Sequence, residues 1–207
     1  MFQIEHNIIG VVLCGGKSSR MGSDKGLMIT HETYWAKEAA AKMNFLNCEI
    51  YFSVNEIQLE QYAVAIAKDN LITDNEALQT GGPLKGLLSA HERFSSADIL
   101  LLACDMPLIK TAVLEFLHHQ YLQTEYDAYV FGEPECAEPL AGIYKNSALA
   151  HIHELLLTGR LQRFSMQHVL SLLHTKYNSI PEQWKDAFLN VNSIEELKRL
   201  ESKLNPL

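Results

Sequence analysis

The sequence predicts an α/β fold in three layers, with helices on both faces of a mostly parallel, mixed central sheet. Three observations carry this. Short apolar runs of strand length alternate with helix-like segments through the first part of the chain, as βαβ units require. The run Asp98–Ala103 (DILLLA) is apolar throughout after its first residue, as a strand covered by helices on both faces must be. The composition, 47% hydrophobic and 20% charged over 207 residues, is that of a globular chain long enough to bury a core without disulfide or metal staples. No repeat, linker or low-complexity tract divides the chain, so a single domain over residues 1–207 is expected.

Taken in order, Ile8–Leu13 (IIGVVL) reads as a buried strand and runs into a glycine-rich stretch. Thr33–Met43 is rich in Ala and Lys and helix-prone. Cys48–Val54 reads as a second strand, Gln58–Ala67 has helical periodicity, and Leu71–Thr73 is a short strand. Leu84–Phe94 reads as a helix entered through Gly81-Gly82-Pro83. Beyond DILLLA, Thr111–Leu122 is helical, with Val113, Leu114, Leu117 and Leu122 broadly on one side. Past residue 125 the pattern is mixed. Asp127–Phe131 and Leu140–Tyr144 look like strands, Ala148–Leu157 and Gln167–Leu173 like helices, and Phe188–Val191 like a short strand. Ser193–Leu204 is an amphipathic helix with Ser193 as N-cap and Glu196 three residues on, a capping box.

The charge balance narrows function. Seventeen basic against 25 acidic residues give a net charge of −8, which repels nucleic-acid backbones and anionic lipid. The longest uninterrupted apolar run is Ile99–Cys104, far short of the ~20 residues of a membrane span. The start, MFQIEHNIIGVVL, lacks the basic n-region of a signal peptide, so a cytoplasmic protein with no nucleic-acid or membrane role is expected. Cys14, Cys48, Cys104 and Cys136 form no C-x-x-C motif, which fits free, reduced thiols. Neither His118-His119 nor His151/His153 has the i, i+4 spacing that would put two ligands on one helix face, so zinc is not expected. Trp35 and Trp184 read as packing residues.

The densest chemistry is LCGGKSSRMGSDKG, Leu13 to Gly26. It follows a buried strand and therefore sits at a carboxyl end, the edge where open α/β sheets bind ligands. Gly15, Gly16 and Gly22 let backbone N–H groups approach an anion, and Lys17, Arg20 and Lys25 outweigh Asp24. Neither a Walker P-loop nor G-x-G-x-x-G is present. Alone, the segment is equally a basic surface loop with turn glycines. One cation about 4 Å from a phosphate gains roughly 4 kcal/mol at an effective dielectric of ~20. Surface carboxylates beyond ~8 Å are largely screened, so an acidic chain can still bind a triphosphate here. Cys104-Asp105-Met106-Pro107 follows DILLLA, placing Asp105 at the same sheet edge. A carboxylate there suits Mg²⁺, which takes one or two carboxylates plus substrate phosphates, although an Asp before x-Pro is also an ordinary turn residue. A polyphosphate loop and a metal carboxylate on one edge describe a nucleotidyl-transfer site.

At this point the chain resembles the molybdenum cofactor guanylyltransferase family, whose pattern is roughly L-A-G-G-x-S-x-R-M-G-x-D-K. Val54-Asn55, Asp74 after the third strand, Gly82-Pro83-Leu84-Lys85-Gly86, Cys104-Asp105-Met106-Pro107, Glu138-Pro139-Leu140 and the FLNVNS stretch from Phe188 to Ser193 agree in order, so the resemblance covers nearly the whole chain. It implies a Rossmann-like fold of the nucleotide-diphospho-sugar-transferase type. It also implies a reaction in which the phosphate of molybdopterin attacks the α-phosphate of GTP, with Mg²⁺ as cofactor. Carried over by position, Leu13, Cys14, Gly15 and Gly16 line the nucleotide, and Lys25 contacts its phosphates. Asn55 and Asp74 lie on the base or ribose side, Asp105 holds Mg²⁺ and nucleotide, and Arg20 stabilises charge on the transferring phosphates. Asn190 and Asn192 are candidates for the pterin side or a second metal contact. Transient contact with molybdenum-insertion or molybdoenzyme-maturation proteins is compatible with the resemblance.

Two departures matter. Cys14 stands where Ala is usual, and the spacing from Met21 to Lys25 is one residue shorter than in some members. Base choice is not legible, so CTP on molybdopterin, an NTP on another small phosphorylated acceptor, and a non-catalytic nucleotide-binding cofactor carrier stay open. Lys85 reads first as a solvated lysine, with a phosphate or pterin contact second. Arg160 and Arg163 are candidates for a basic pocket for the pterin phosphate.

Overall fold

The computed structural model describes residues 7–15, 24–30, 32–191 and 193–204. Seven strands form the main sheet: β1 (Ile8–Leu13), β4 (Ile50–Val54), β5 (Leu71–Thr73), β6 (Asp98–Ala103), β7 (Ala128–Phe131), β8 (Glu138–Tyr144) and β9 (Thr175–Asn178). Their order is β5-β4-β1-β6-β8-β7-β9. The pairs β4/β5, β1/β4, β1/β6 and β7/β9 are parallel, whereas β8 is antiparallel to both β6 and β7, so β8 alone runs against the rest. The sheet is therefore mostly parallel and mixed, as expected.

The two faces of β1 explain the layers. Ile8, Val12 and Cys14 point into a core shared with α1 (Trp35–Ala41), α2 (Leu59–Ala65) and α4 (Thr111–Gln123). Ile9, Val11 and Leu13 point the other way, against α3 (Pro83–Arg93), α5 (Asn146–Leu157) and α6 (Met166–Ser171). Every β1 side chain is buried. That is why its sequence reads as a run rather than an alternation.

A third, smaller cluster of Met28, Trp35, Val191 and Leu197 seats α7 (Ile194–Leu204) beside a two-stranded ribbon of β2 (Ile29–Thr30) and β3 (Thr33–Tyr34). Trp35 is buried and donates from Nε1 to Thr30 Oγ1 at 3.0 Å, and Trp184 packs edge-on against Phe116 and Phe131, so both are packing residues. The Ser193 cap is present: its Oγ accepts from Glu196 N at 3.1 Å.

Two expectations are corrected. The helix predicted over Thr33–Met43 begins only at Trp35, because Thr33 and Tyr34 pair with β2. Phe188–Val191 is not a strand. A 3-10 stretch over Glu182–Phe188 consumes its start, and Val191 N instead bonds Asp105 O at 3.0 Å. The edge position belongs to β9, whose sequence Thr-Lys-Tyr-Asn is too polar to read as a strand. No helix among the described residues is long and apolar enough to cross a membrane.

Candidate active site

Because β1, β4, β5 and β6 are parallel, their carboxyl ends bring Leu13–Gly15, Ser53–Asn55, Asp74 and Ala103–Asp105 to one edge. Two adjoining cavities open there. One, of about 390 Å³, is lined by Leu13, Cys14, Gly15, Lys25, Cys104 and Asp105, among others. The second, of about 210 Å³, takes in Ser53, Asn55, Asp74, Glu76, Lys85 and Gly86. Leu13, Gly15, Gly82 and Pro83 line both, so the two form one trough.

The floor is built by close packing. Gly86 lies on α3 where it crosses β1 and β4. A Cβ there would stand 2.5 Å from Ser53 Oγ and 2.9 Å from Leu13 Cδ2, so only glycine lets the helix approach. Gly82 precedes the helix with φ +62°, a conformation glycine takes without strain, and Pro83 sets the first helical φ. The start of α3, with its orphan N–H groups, thereby faces the trough.

Lys25 and Asp105, far apart in sequence, meet here: Nζ lies 2.9 Å from Asp105 Oδ2, and each side chain is about a quarter exposed. Asp24 heads the 3-10 turn that carries Lys25, its Oδ1 accepting from Gly26 N at 3.0 Å and from the Tyr62 hydroxyl at 2.6 Å. Gln58, buried, donates from Nε2 to Asp24 Oδ2 and to Cys14 O, the latter at 3.2 Å. One side chain thus ties the β1 loop to the Lys25 turn. Lys42, at the end of α1, donates to Pro107 O at 2.6 Å and steadies the loop after Asp105. Burial pulls the Lys42 ammonium down to about 8.

In the second cavity, Asn55 and Gln58 cap each other across the entry to α2: Gln58 N donates to Asn55 Oδ1 and Asn55 N to Gln58 Oε1, each at 3.0 Å. That use of Oδ1 leaves the Asn55 Nδ2 donor for a ligand. Burial pushes the Asp74 carboxyl up to about 6, opposed by the nearby Lys85 charge, reinforced by Glu76, and opposed by a long 3.5 Å bond from Ser53 Oγ. Lys85 is not a solvated lysine. Its side chain is largely buried and pairs with Glu76 Oε2 at 3.0 Å on the wall of this cavity.

The structure brings together Leu13, Cys14, Gly15, Lys25, Asn55, Asp74 and Asp105. Gly16, Lys17, Arg20, Gly22 and Asn192 lie outside the described residues. Asn190 is exposed, one residue before the Val191 bond to Asp105. Arg160 is spent on Glu154 Oε1 at 2.6 Å, and neither it nor Arg163 lines either cavity. Sequence reading missed Gln58 and Tyr62. The Asn55-x-x-Gln58 spacing is the capping-box signal that exposes the first, while nothing in the sequence pairs Tyr62 with Asp24.

The donor set can be tested for Mg²⁺. Among the described residues, no three His, Cys, Asp or Glu side chains converge on a metal position. Asp105 alone offers a carboxylate at the first cavity beside a cation. That fits an ion held by one carboxylate, substrate phosphates and water, and does not fit an all-protein cage.

A glycine-lined trough at the carboxyl ends of parallel strands, with a lysine–carboxylate pair at each of its two cavities, belongs to an enzyme of the nucleotidyltransferase class. The chain belongs to the MobA-like NTP transferase domain family, whose model matches residues 10–172. It is 29% identical over 195 residues to a molybdenum cofactor guanylyltransferase of Campylobacter jejuni, covering 94% of this chain and 95% of that one. It is 26% identical over 198 residues to a probable molybdenum cofactor guanylyltransferase of Methanocaldococcus jannaschii, covering 92% and 96%. Among solved structures, the molybdopterin-guanine dinucleotide biosynthesis protein A of Archaeoglobus fulgidus superposes with a TM-score of 0.74 at 22% identity, covering 96% of this chain and all of that one. The 4-diphosphocytidyl-2C-methyl-D-erythritol synthase of Anaerococcus prevotii shares the fold at a TM-score of 0.66 and 7% identity, covering 96% of each chain.

Proposed function

We propose that the chain, as one cytoplasmic domain, transfers GMP from GTP to molybdopterin, releasing pyrophosphate and forming the guanine dinucleotide cofactor. The observation that carries this reading is the Lys25–Asp105 pair on the wall of the larger cavity, at the sheet edge where Leu13–Gly15 emerge. The names of the relatives in Campylobacter and Methanocaldococcus support the choice of base and acceptor.

On this reading the triphosphate lies along Gly15, Gly16 and the start of α3, with the base and ribose toward Asn55 and Asp74. Lys25 exchanges its carboxylate partner for phosphate oxygens, and Arg20 adds charge on the same group. Asp105, so released, would hold Mg²⁺ with the phosphates, and the ion would offset charge on the leaving pyrophosphate. The acceptor is a phosphate, already anionic at neutral pH, so no general base is needed. A bond forms between its oxygen and Pα as the Pα–O bond to the β-phosphate breaks. Positioning and electrostatics carry the rate.

Isotopic labelling tests the bond that breaks. Label in the α-phosphate of GTP should enter the pterin product, and label in the γ-phosphate should leave in pyrophosphate. Recovery of the γ-label in the pterin would overturn the reading.

A further inference from the structure

Two cysteines line the larger cavity, Cys14 and Cys104, and no role has been given to the thiol of either. The β1/β6 register pairs Val12 with Leu102 and Leu13 with Ala103. One step further brings Cys14 opposite Cys104, and Cys104 N still bonds Leu13 O at 3.1 Å, so the ladder continues to that point. Alternation puts both side chains on the same face, and both belong to the same core layer. Burial and the neighbouring Cys104 push the Cys14 thiol up. Both are buried from the outer surface yet line the cavity, which gives a small solute access. Neighbouring strands lie about 4.8 Å apart, inside the Cα separation of about 4.4–6.8 Å that a disulfide spans.

We propose that Cys14 and Cys104 form a redox-active dithiol, which hydrogen peroxide converts to a reversible disulfide, and that bridging closes the cavity to nucleotide. One sulfur attacks a peroxide oxygen, giving a sulfenic acid and one water. The second sulfur displaces the sulfenic hydroxyl, giving the S–S bond and a second water. Two thiols are oxidised and one peroxide is reduced. The S–S bond fixes the Cys14 and Cys104 side chains where they line the cavity. Asp105 follows Cys104 directly and Gly15 follows Cys14, while Tyr62 links the same spot through Asp24 to the Lys25 turn. A change at that spot therefore reaches the Lys25–Asp105 pair. The first half of the proposal stands on geometry alone. The second rests on reading the cavity as a nucleotide site.

The test uses a Cys48→Ser/Cys136→Ser chain, since Cys136 is exposed, Cys48 partly so, and neither lines the trough. After treatment with hydrogen peroxide, the intact mass should fall by two hydrogen atoms, peptides carrying Cys14 and Cys104 should be cross-linked, and dithiothreitol should restore both. Adding Cys104→Ala, or separately Cys14→Ala, should abolish the mass loss. Oxygen added to either cysteine without a cross-link, or two thiols still free, overturns the dithiol. GTP affinity measured by calorimetry should weaken about tenfold or more in the bridged form and return on reduction. Equal GTP affinity in both forms overturns the closure. A disulfide that forms in a chain binding no GTP in either form sinks the nucleotide reading and the closure with it, while the dithiol stands.

Discussion

Lys25 and Asp105 are opposite charges held 2.9 Å apart at a quarter exposure, on the larger cavity, where the proposed triphosphate and cation would lie. A partly exposed pair of this kind stabilises a fold by only about 0–1 kcal/mol, so its worth lies in what it does to a ligand. Asp105→Asn and Lys25→Met should each lower kcat/KM by about a hundredfold or more, with thermal unfolding shifted little. Steady-state kinetics beside calorimetry check both halves. Asp74 carries a pH signature. Burial raises its carboxyl from 3.8 to about 6, so between those values the folded chain keeps a proton that the unfolded chain has released. Its contribution to stability therefore falls as pH rises through that window. Asp74→Asn should raise Tm at pH 7 and leave it nearly unchanged at pH 4. If the ionised carboxylate contacts the nucleotide, GTP affinity should drop as pH falls through about 6, and the Asn variant should lose that limb. Leu13–Gly15, Lys25 and Asp105 were legible because each sits in a local motif at a strand end. The Tyr62–Asp24 bond was not, because long-range partners leave no spacing to read.

At the scale of elements, α3 sets the shape of the trough, and Lys42 at the end of α1 ties down the loop after Asp105. Gly86→Ala would drive a methyl into Ser53 Oγ and Leu13 Cδ2. Overpacking of this kind costs about 1–3 kcal/mol, and the displaced helix should raise KM for the nucleotide as well as lower Tm. A Tm loss with unchanged KM would separate α3 from binding. Lys42→Met removes the donor to Pro107 O. Leaving that carbonyl unpaired costs about 1–3 kcal/mol, and turnover should fall through a looser Asp105 while the unbound fold persists, a split that kcat against Tm measures. Buried central strands such as β1 and β6 announce themselves as apolar runs. Edge elements do not: β9 is polar because one side of it meets solvent, and Phe188–Val191 is apolar because Phe188 and Val191 pack, not because the segment pairs in a sheet.

For the whole molecule, strand direction does most of the positioning. Four parallel strands deliver their carboxyl ends to one edge. Residues scattered from Leu13 to Asp105 in sequence thereby share one trough. The net charge of −8 sits poorly with a polymeric anion, yet the trough has lysines at both cavities, Lys25 in one and Lys85 in the other. Asp74, Glu76 and Asp105 face those lysines, so the described lining is not net cationic, and a small polyanion there calls for a bound cation to balance its charge. We propose that this cleft moves GMP onto molybdopterin. Pyrophosphate release, measured with each of the four ribonucleoside triphosphates and Mg²⁺, with and without molybdopterin, tests it most directly. Release is expected with GTP only when molybdopterin is present, and is lost in Asp105→Asn. Release with CTP but not GTP, or acceptor-independent release that survives in Asp105→Asn, contradicts it.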